Sequence, residues 1–241
     1  LRKKIITVIN IAMDIIPQLI VNSIIAGSLY ALVALSFNFI YGATRFFNLA
    51  HGAISVVGGY TVYYFTKTLD WPVIPAVILG LLFAGLLGYL SEVFIYRPLR
   101  DRKSSNMILL VASLGLLTAL QAIIAILFSS QFQTLSQAGS ITKTFNIYGG
   151  VITEIQLITL LSVVLVTVIL ALILRFTFFG KSVKAISDDE EVSKMVGINT
   201  NKVVASVFFI GSMIAGLAGI LTGYDTGLEP TMGMSLLLKG V

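Results

Sequence analysis

The chain has no cysteine and a single histidine, His51, among 241 residues. The first absence excludes disulfides and thiolate metal sites; the second excludes a histidine-rich metal centre. Charge is scarce too. Asp, Glu, Lys and Arg make up 11% of the residues, against about 25% in an ordinary soluble domain. The net charge of +5 is not a nucleic-acid signature, because the basic residues sit in short loops between apolar runs. That pattern sets the orientation of a membrane protein.

Oil is abundant. Apolar residues make up 57% of the chain, and the mean hydropathy is +0.98. Several runs reach about 20 residues, enough to cross a bilayer as helices. They lack the strict alternation of barrel strands. The expected fold is all-α: a polytopic transmembrane helix bundle in a single domain over residues 1–241, in contact with the lipid bilayer. The spans are expected near residues 15–41, 46–65, 72–96, 107–128, 155–176 and 203–222, with a polar loop over 177–202. The chain opens on Leu1 and stops at Val241 after an apolar run, and its membrane part is expected to be incomplete at the C-terminal end. The basic start imitates a signal peptide, but Asp14 and Pro17 follow and no small-residue cleavage site appears.

Lysine and arginine predict the orientation. Arg97, Arg100, Arg102 and Lys103 fall in one loop, and Arg175, Lys181, Lys184, Lys194 and Lys202 in and around another. The intervening loops hold Lys67 and Lys143. The positive-inside rule puts the first two regions in the cytoplasm, with Arg45 beside them. Parity then conflicts with Arg2, Lys3 and Lys4, and a short interfacial or re-entrant element over Ile5 to Pro17 would remove the conflict.

The polar loop contains "GKSVKAISDDEEVSKMVGIN", residues 180–199. It reads as a short helix. Ser187 and Glu190 have capping-box spacing, acids from Asp188 to Glu191 favour the first turn, and Gly197 suits a left-handed C-terminal cap. Val192, Met195 and Val196 share one face. Spacing leaves two readings open: a plug for a partner's groove, or a solvated connector. "GKS" is no phosphate-binding loop, because Arg175 stands where that motif needs glycine and a membrane span precedes it.

Gly180, Lys184, Ala185, Asp188 and "GIN" at Gly197, Ile198 and Asn199 resemble the cytoplasmic loop of ABC importer permeases. The likeness is to the branched-chain (hydrophobic) amino-acid permease family. "YALVALSFNFIYGATRFFNLAHG" from Tyr30, "IYRPLR" from Ile95 and "GLEPTMGMSLLLKG" near the end are similar to that family in collinear order. The resemblance implies a coupling helix at those seven residues, docking in a cytoplasmic ATPase. It also implies a second membrane permease subunit, two such ATPases, which would bind the ATP and magnesium, and an external solute-binding protein. This chain would need no cofactor or metal and would have no catalytic site. The location implied is a bacterial or archaeal plasma membrane. Lys184 stands where the family often has arginine, which keeps the charge but not a bidentate contact.

Asn48 and His51 lie three apart on one helical face, with Gly52, Ser55 and Gly59 allowing close backbone approach. Asn48, His51, Gly52 and Ser55 are the candidates for the translocation path, since an ionisable group at membrane depth is a functional candidate. The competing reading, favoured because polar bonds between helices are common in such bundles, is hydrogen bonding to neighbouring helices. Glu92 is expected to pair near the interface with Arg97. Gly219 and Gly223 form a GxxxG pair. The function expected is a permease moving branched-chain or other small apolar amino acids by alternating access. Urea or short amides are alternatives within the family. An ion-coupled secondary transporter fits less well, because the span centres lack acids. An intramembrane enzyme using His51 and Ser55 lacks a third group.

Overall fold

Among the described residues, five helices are long and apolar enough to cross a membrane: Ile15–Thr44, Val73–Asp101, Asn106–Phe128, Glu154–Phe176 and Thr200–Asp225. The computed structural model describes residues 2–136, 143–147 and 149–240, with side chains in the first helix from Ile15 onward. In chain order the helices are α1 (Arg2–Thr44), α2 (Ala50–Tyr63), α3 (Val73–Ser91), α4 (Arg97–Asp101), α5 (Asn106–Phe128), α6 (Glu154–Phe176), α7 (Phe178–Asp188), α8 (Glu190–Met195), α9 (Thr200–Asp225) and α10 (Met232–Gly240). The chain belongs to the helical class its composition predicts.

Burial sorts these helices into a centre and a rim. Only 17% and 22% of the most apolar windows of α6 and α5 are buried, against 67% for α9. The first two therefore turn apolar faces outward, while α9 runs through the middle with α2. Twelve of the 14 residues of α2 are buried. The two central helices touch backbone to backbone. A Cβ on Gly219 would collide with the Ser55 carbonyl, and one on Gly58 would lie 2.7 Å from Gly216 Cα. The small residues of α2 and the glycines of α9 are thus a packing seam, as small-xxx-small pairs usually are in membranes.

Several boundaries differ from those read in the sequence. The second apolar run becomes helical at Ala50, not at residue 46, because Arg45 has a positive φ of 56° that ends α1. As an α-helix it spans only about 21 Å, and a π-helical turn, Tyr64–Thr68, carries it onward. The separate element expected over Ile5 to Pro17 does not form, since α1 continues through Pro17. Pro17 removes one backbone bond of the helix, and the next residue is held from outside it. Gln18 donates to the Val151 carbonyl at 3.1 Å and accepts from the Val151 amide at 2.7 Å.

Val151 belongs to a hairpin that the all-α reading lacked. Strands β1 (Thr144–Ile147) and β2 (Gly150–Thr153) pair antiparallel, Thr144 opposite Thr153 and Ile147 opposite Gly150. At the end of α3, Glu92–Tyr96 forms another π-helical turn, and the Arg97 amide reaches back to the Glu92 carbonyl. Pro98 explains it. Its ring clashes with the carbonyl four residues earlier, and a wider turn relieves the clash. The short α10 crosses the start of α2, where a Cβ on Gly52 would strike the Gly233 carbonyl.

Candidate functional site

The polar loop folds as an elbow of two helices, not one. α6 ends at Phe176, and Thr177 turns the chain and starts α7. Its hydroxyl donates to the Ile173 carbonyl at 2.6 Å and accepts from the Gly180 amide at 3.1 Å. Gly180 packs against the Leu174 carbonyl so closely that no side chain fits. Val183 and Ile186 then bury one face of α7 in the core. "GKS" therefore lies within a helix. The next N-cap is Asp189, which accepts from the Val192 amide at 3.0 Å. The Ser187–Glu190 box expected from spacing does not form. Ser187 still belongs to α7, and Asp189 takes the extended conformation a cap requires.

Gly197 ends α8 with φ of 88°. Its amide donates to the Lys194 carbonyl at 3.1 Å, and the Ile198 amide donates to the Ser193 carbonyl at 3.0 Å. Those two bonds are a Schellman cap. Asn199 follows at once as the N-cap of α9, accepting from the Lys202 amide at 3.1 Å, while Ile198 packs on the core. Of the seven residues carried over, Gly180, Gly197, Ile198 and Asn199 therefore shape and anchor the elbow. Lys184 and Asp188 are exposed, and Ala185 is half-buried. Glu190 pairs with Lys194 at 2.8 Å along α8.

Two features make the elbow rigid yet outward-facing. Arg45 donates from Nη2 to the Ser187 carbonyl at 2.8 Å, a cation at the C-terminal end of α7 where the helix dipole favours it. Sequence reading gave Arg45 only an orientation role. Meanwhile Val192, Met195 and Val196 are 53%, 83% and 70% exposed. A short capped helix tied to the bundle thus holds out an apolar face.

The path candidates converge on the buried start of α2. A helix end away from water needs partners for its amides. Asn48 Oδ1 accepts from the Ala50 amide at 3.1 Å, and Ser113 Oγ accepts from the Leu49 amide at 3.0 Å. Tyr96 donates its hydroxyl to Asn48 Oδ1 at 2.9 Å. Ser36 gives its proton to the Val33 carbonyl at 2.8 Å, so His51 donates from Nε2 to Ser36 Oγ at 2.8 Å. Ser55 donates to the Gly52 carbonyl at 2.7 Å, so His51 and Ser55 do not form a base–nucleophile pair. Asn48 Nδ2 and His51 Nδ1 have no partner among the described residues. Ser36→Ala and His51→Ala should couple by about 0.6 kcal/mol in a double-mutant cycle of thermal unfolding, the average for such membrane bonds. Uptake per assembled complex should stay near wild type. Lost uptake in a fully assembled His51→Ala complex would instead put the ring in the solute path.

Glu92 is fully buried, and its partner is Arg100, not Arg97. Both carboxylate oxygens accept from the guanidinium, Oε2 from Nη1 at 3.1 Å and Oε1 from Nη2 more closely. Arg97 pairs with Asp101 at 3.9 Å.

Residues 19–241 match the family described as the permease component of the branched-chain amino acid transport system. The chain is 27% identical to the high-affinity branched-chain amino acid transport system permease protein LivH of Salmonella typhimurium, over 92% of this chain and 75% of that one. It is 28% identical to the corresponding permease protein BraD of Pseudomonas aeruginosa, over 92% of this chain and 76% of that one. A more distant likeness, 26% identical over 80% of this chain and 53% of the other, is to the fructose import permease protein FrcC of Rhizobium meliloti. No solved structure matches. With membrane-length helices around a glycine-seamed centre and this match over nearly its whole length, the chain belongs to the branched-chain amino acid transport permease family.

Proposed function

We propose that this chain is the membrane-spanning subunit of an ATP-driven importer for branched-chain or other small apolar amino acids. It works by alternating access beside a second permease subunit, fed by an external solute-binding protein and driven by two cytoplasmic ATPases that hold the ATP and magnesium. The membrane is a bacterial or archaeal plasma membrane. The end carrying Arg45, Arg97, Arg102, Lys103 and the elbow faces the cytoplasm. The observation that supports this reading most is the elbow. Its α8 face is apolar and exposed, while its base is locked by Arg45, Gly180 and the Gly197 cap. Rigid attachment lets a push on α8 reach α1 through Arg45 and α9 through Asn199. Asn48, His51, Gly52 and Ser55 then act by holding the junction of α1, α2 and α10 that alternating access must move.

The test is leucine uptake into vesicles containing the chain with its co-purifying partners and ATP enclosed. Uptake should require ATP. Gly197→Val should lower it at least fivefold with insertion intact, because a β-branched residue at that φ costs about 1–3 kcal/mol. ATP-independent uptake driven by a sodium or proton gradient would contradict the proposal.

A further inference from the structure

A cavity of about 270 Å³ opens between α1, α6, α9 and α10. Charges of opposite sign line it. Asp225 stands at the end of α9 and Lys239 near the end of α10. They do not bridge to each other, and among the described residues neither is in an ion pair. Asp225 is half-buried and Lys239 is exposed, so both can keep their charge at the mouth of the cavity.

Each charge is held in place by a neighbour. Gln156 Nε2 donates to Asp225 Oδ1 at 3.1 Å, while its Oε1 accepts from the Thr153 amide at 3.1 Å in the cap of α6. The Gln156 amide is thus locked at both ends, and it orients one carboxylate oxygen and leaves the other open. The Lys239 ammonium lies 5.9 Å from the centre of the Tyr30 ring, a cation–π contact that occupies one side and leaves donors for an anion. Buried Leu29 and Leu236 supply apolar wall.

From this arrangement we infer a binding site for a zwitterionic aliphatic α-amino acid, its ammonium on Asp225, its carboxylate on Lys239 and its side chain against Leu29 and Leu236. Size agrees. At about 30 Å³ per water, the cavity of about 270 Å³ has room for several waters, and a leucine, whose bonded atoms pack more tightly than waters, fits within it. Place agrees as well. Asp225 lies at the end of α9 away from the elbow, toward the outer face in the proposed orientation. The inference rests on the importer reading and adds to it where the solute rests in the bundle.

The same zwitterionic chemistry occurs in a phosphatidylethanolamine headgroup, so the test separates the two. The importer, assembled with its partners, is placed in nanodiscs of phosphatidylcholine with or without phosphatidylethanolamine. It is photolabelled with a diazirine analogue of leucine. Label should fall on the peptides around Leu29 and Leu236, be displaced by excess leucine, and be unchanged by the lipid. Asp225→Asn and Lys239→Gln should each cut it at least tenfold, and Lys239→Arg should restore most of it. ATPase activity of each complex reports assembly independently. Label elsewhere, label unaffected by the charge-removing variants, or loss of label on adding phosphatidylethanolamine would each overturn the site. If wild type takes up leucine without labelling the cavity, only this inference fails; if it takes up no aliphatic amino acid, the importer reading fails first.

Discussion

Arg100→Ala should destabilise the protein by about 3–5 kcal/mol, the cost of leaving one member of a buried ion pair alone. Glu92 is completely buried, and Arg100 meets both of its carboxylate oxygens. Without the guanidinium, no other cation bridges that carboxylate among the described residues. The check is thermal unfolding of the purified protein in mild detergent. The double variant Glu92→Leu with Arg100→Leu should recover much of the loss, because apolar replacement of a whole buried pair is often close to neutral. If Arg100→Ala melts like wild type, the pair does not hold α3 to α4. If the double variant is as unstable as the single, the pair's hydrogen bonds matter more than the uncompensated charge.

Charging the α8 face should have the second large effect, on function and not on folding. Met195→Asp and Val196→Asp alter side chains that are 83% and 70% exposed, so monomer stability should change by less than about 0.5 kcal/mol. If the face seats in a partner's groove, each change strikes an apolar anchor worth about 2 kcal/mol or more, roughly thirtyfold in affinity. Co-purification of the ATPase should drop accordingly, and leucine uptake with it. Unchanged co-purification in the double variant would mean that α8 is a connector.

What the sequence made legible follows a physical line. Gly197 was readable because a glycine after a short helical run has one common use, and φ is indeed positive there. The apolar runs were readable because bilayer thickness fixes their length. The cap at Asp189 was not. Ser187, Asp188 and Asp189 can all cap, and the choice depended on α7 starting at Phe178, which Thr177 and the Leu174–Gly180 contact decide. Arg100 was missed for a related reason. In a regular α-helix, a residue eight places on lies about 80° from the first. The π-helical turn after Glu92 absorbs one residue, so Arg100 falls near the position of a seventh neighbour, on the same face. The hairpin and α10 were missed because each is short: four residues per strand and nine in the helix. At that length, periodicity gives little signal. Arg45 and Ser187 are 142 positions apart, and no local pattern pairs them.

The absence of cysteine makes the central claim directly accessible. A chain with a single cysteine in place of Met195, at the tip of the elbow, is co-expressed with the proposed ATPase partner and treated with a short thiol–amine cross-linker, whose second end takes any nearby lysine of the partner. One ATPase-sized adduct should form, fall sharply when Val196→Asp is added to the same chain, and change in yield when ATP is added. A cysteine at Lys143, in the loop on the opposite side, should give none. An ATPase adduct from position 143, or none from 195 in a complex that still takes up leucine, would contradict the docking of α8 and the orientation on which the proposed mechanism depends.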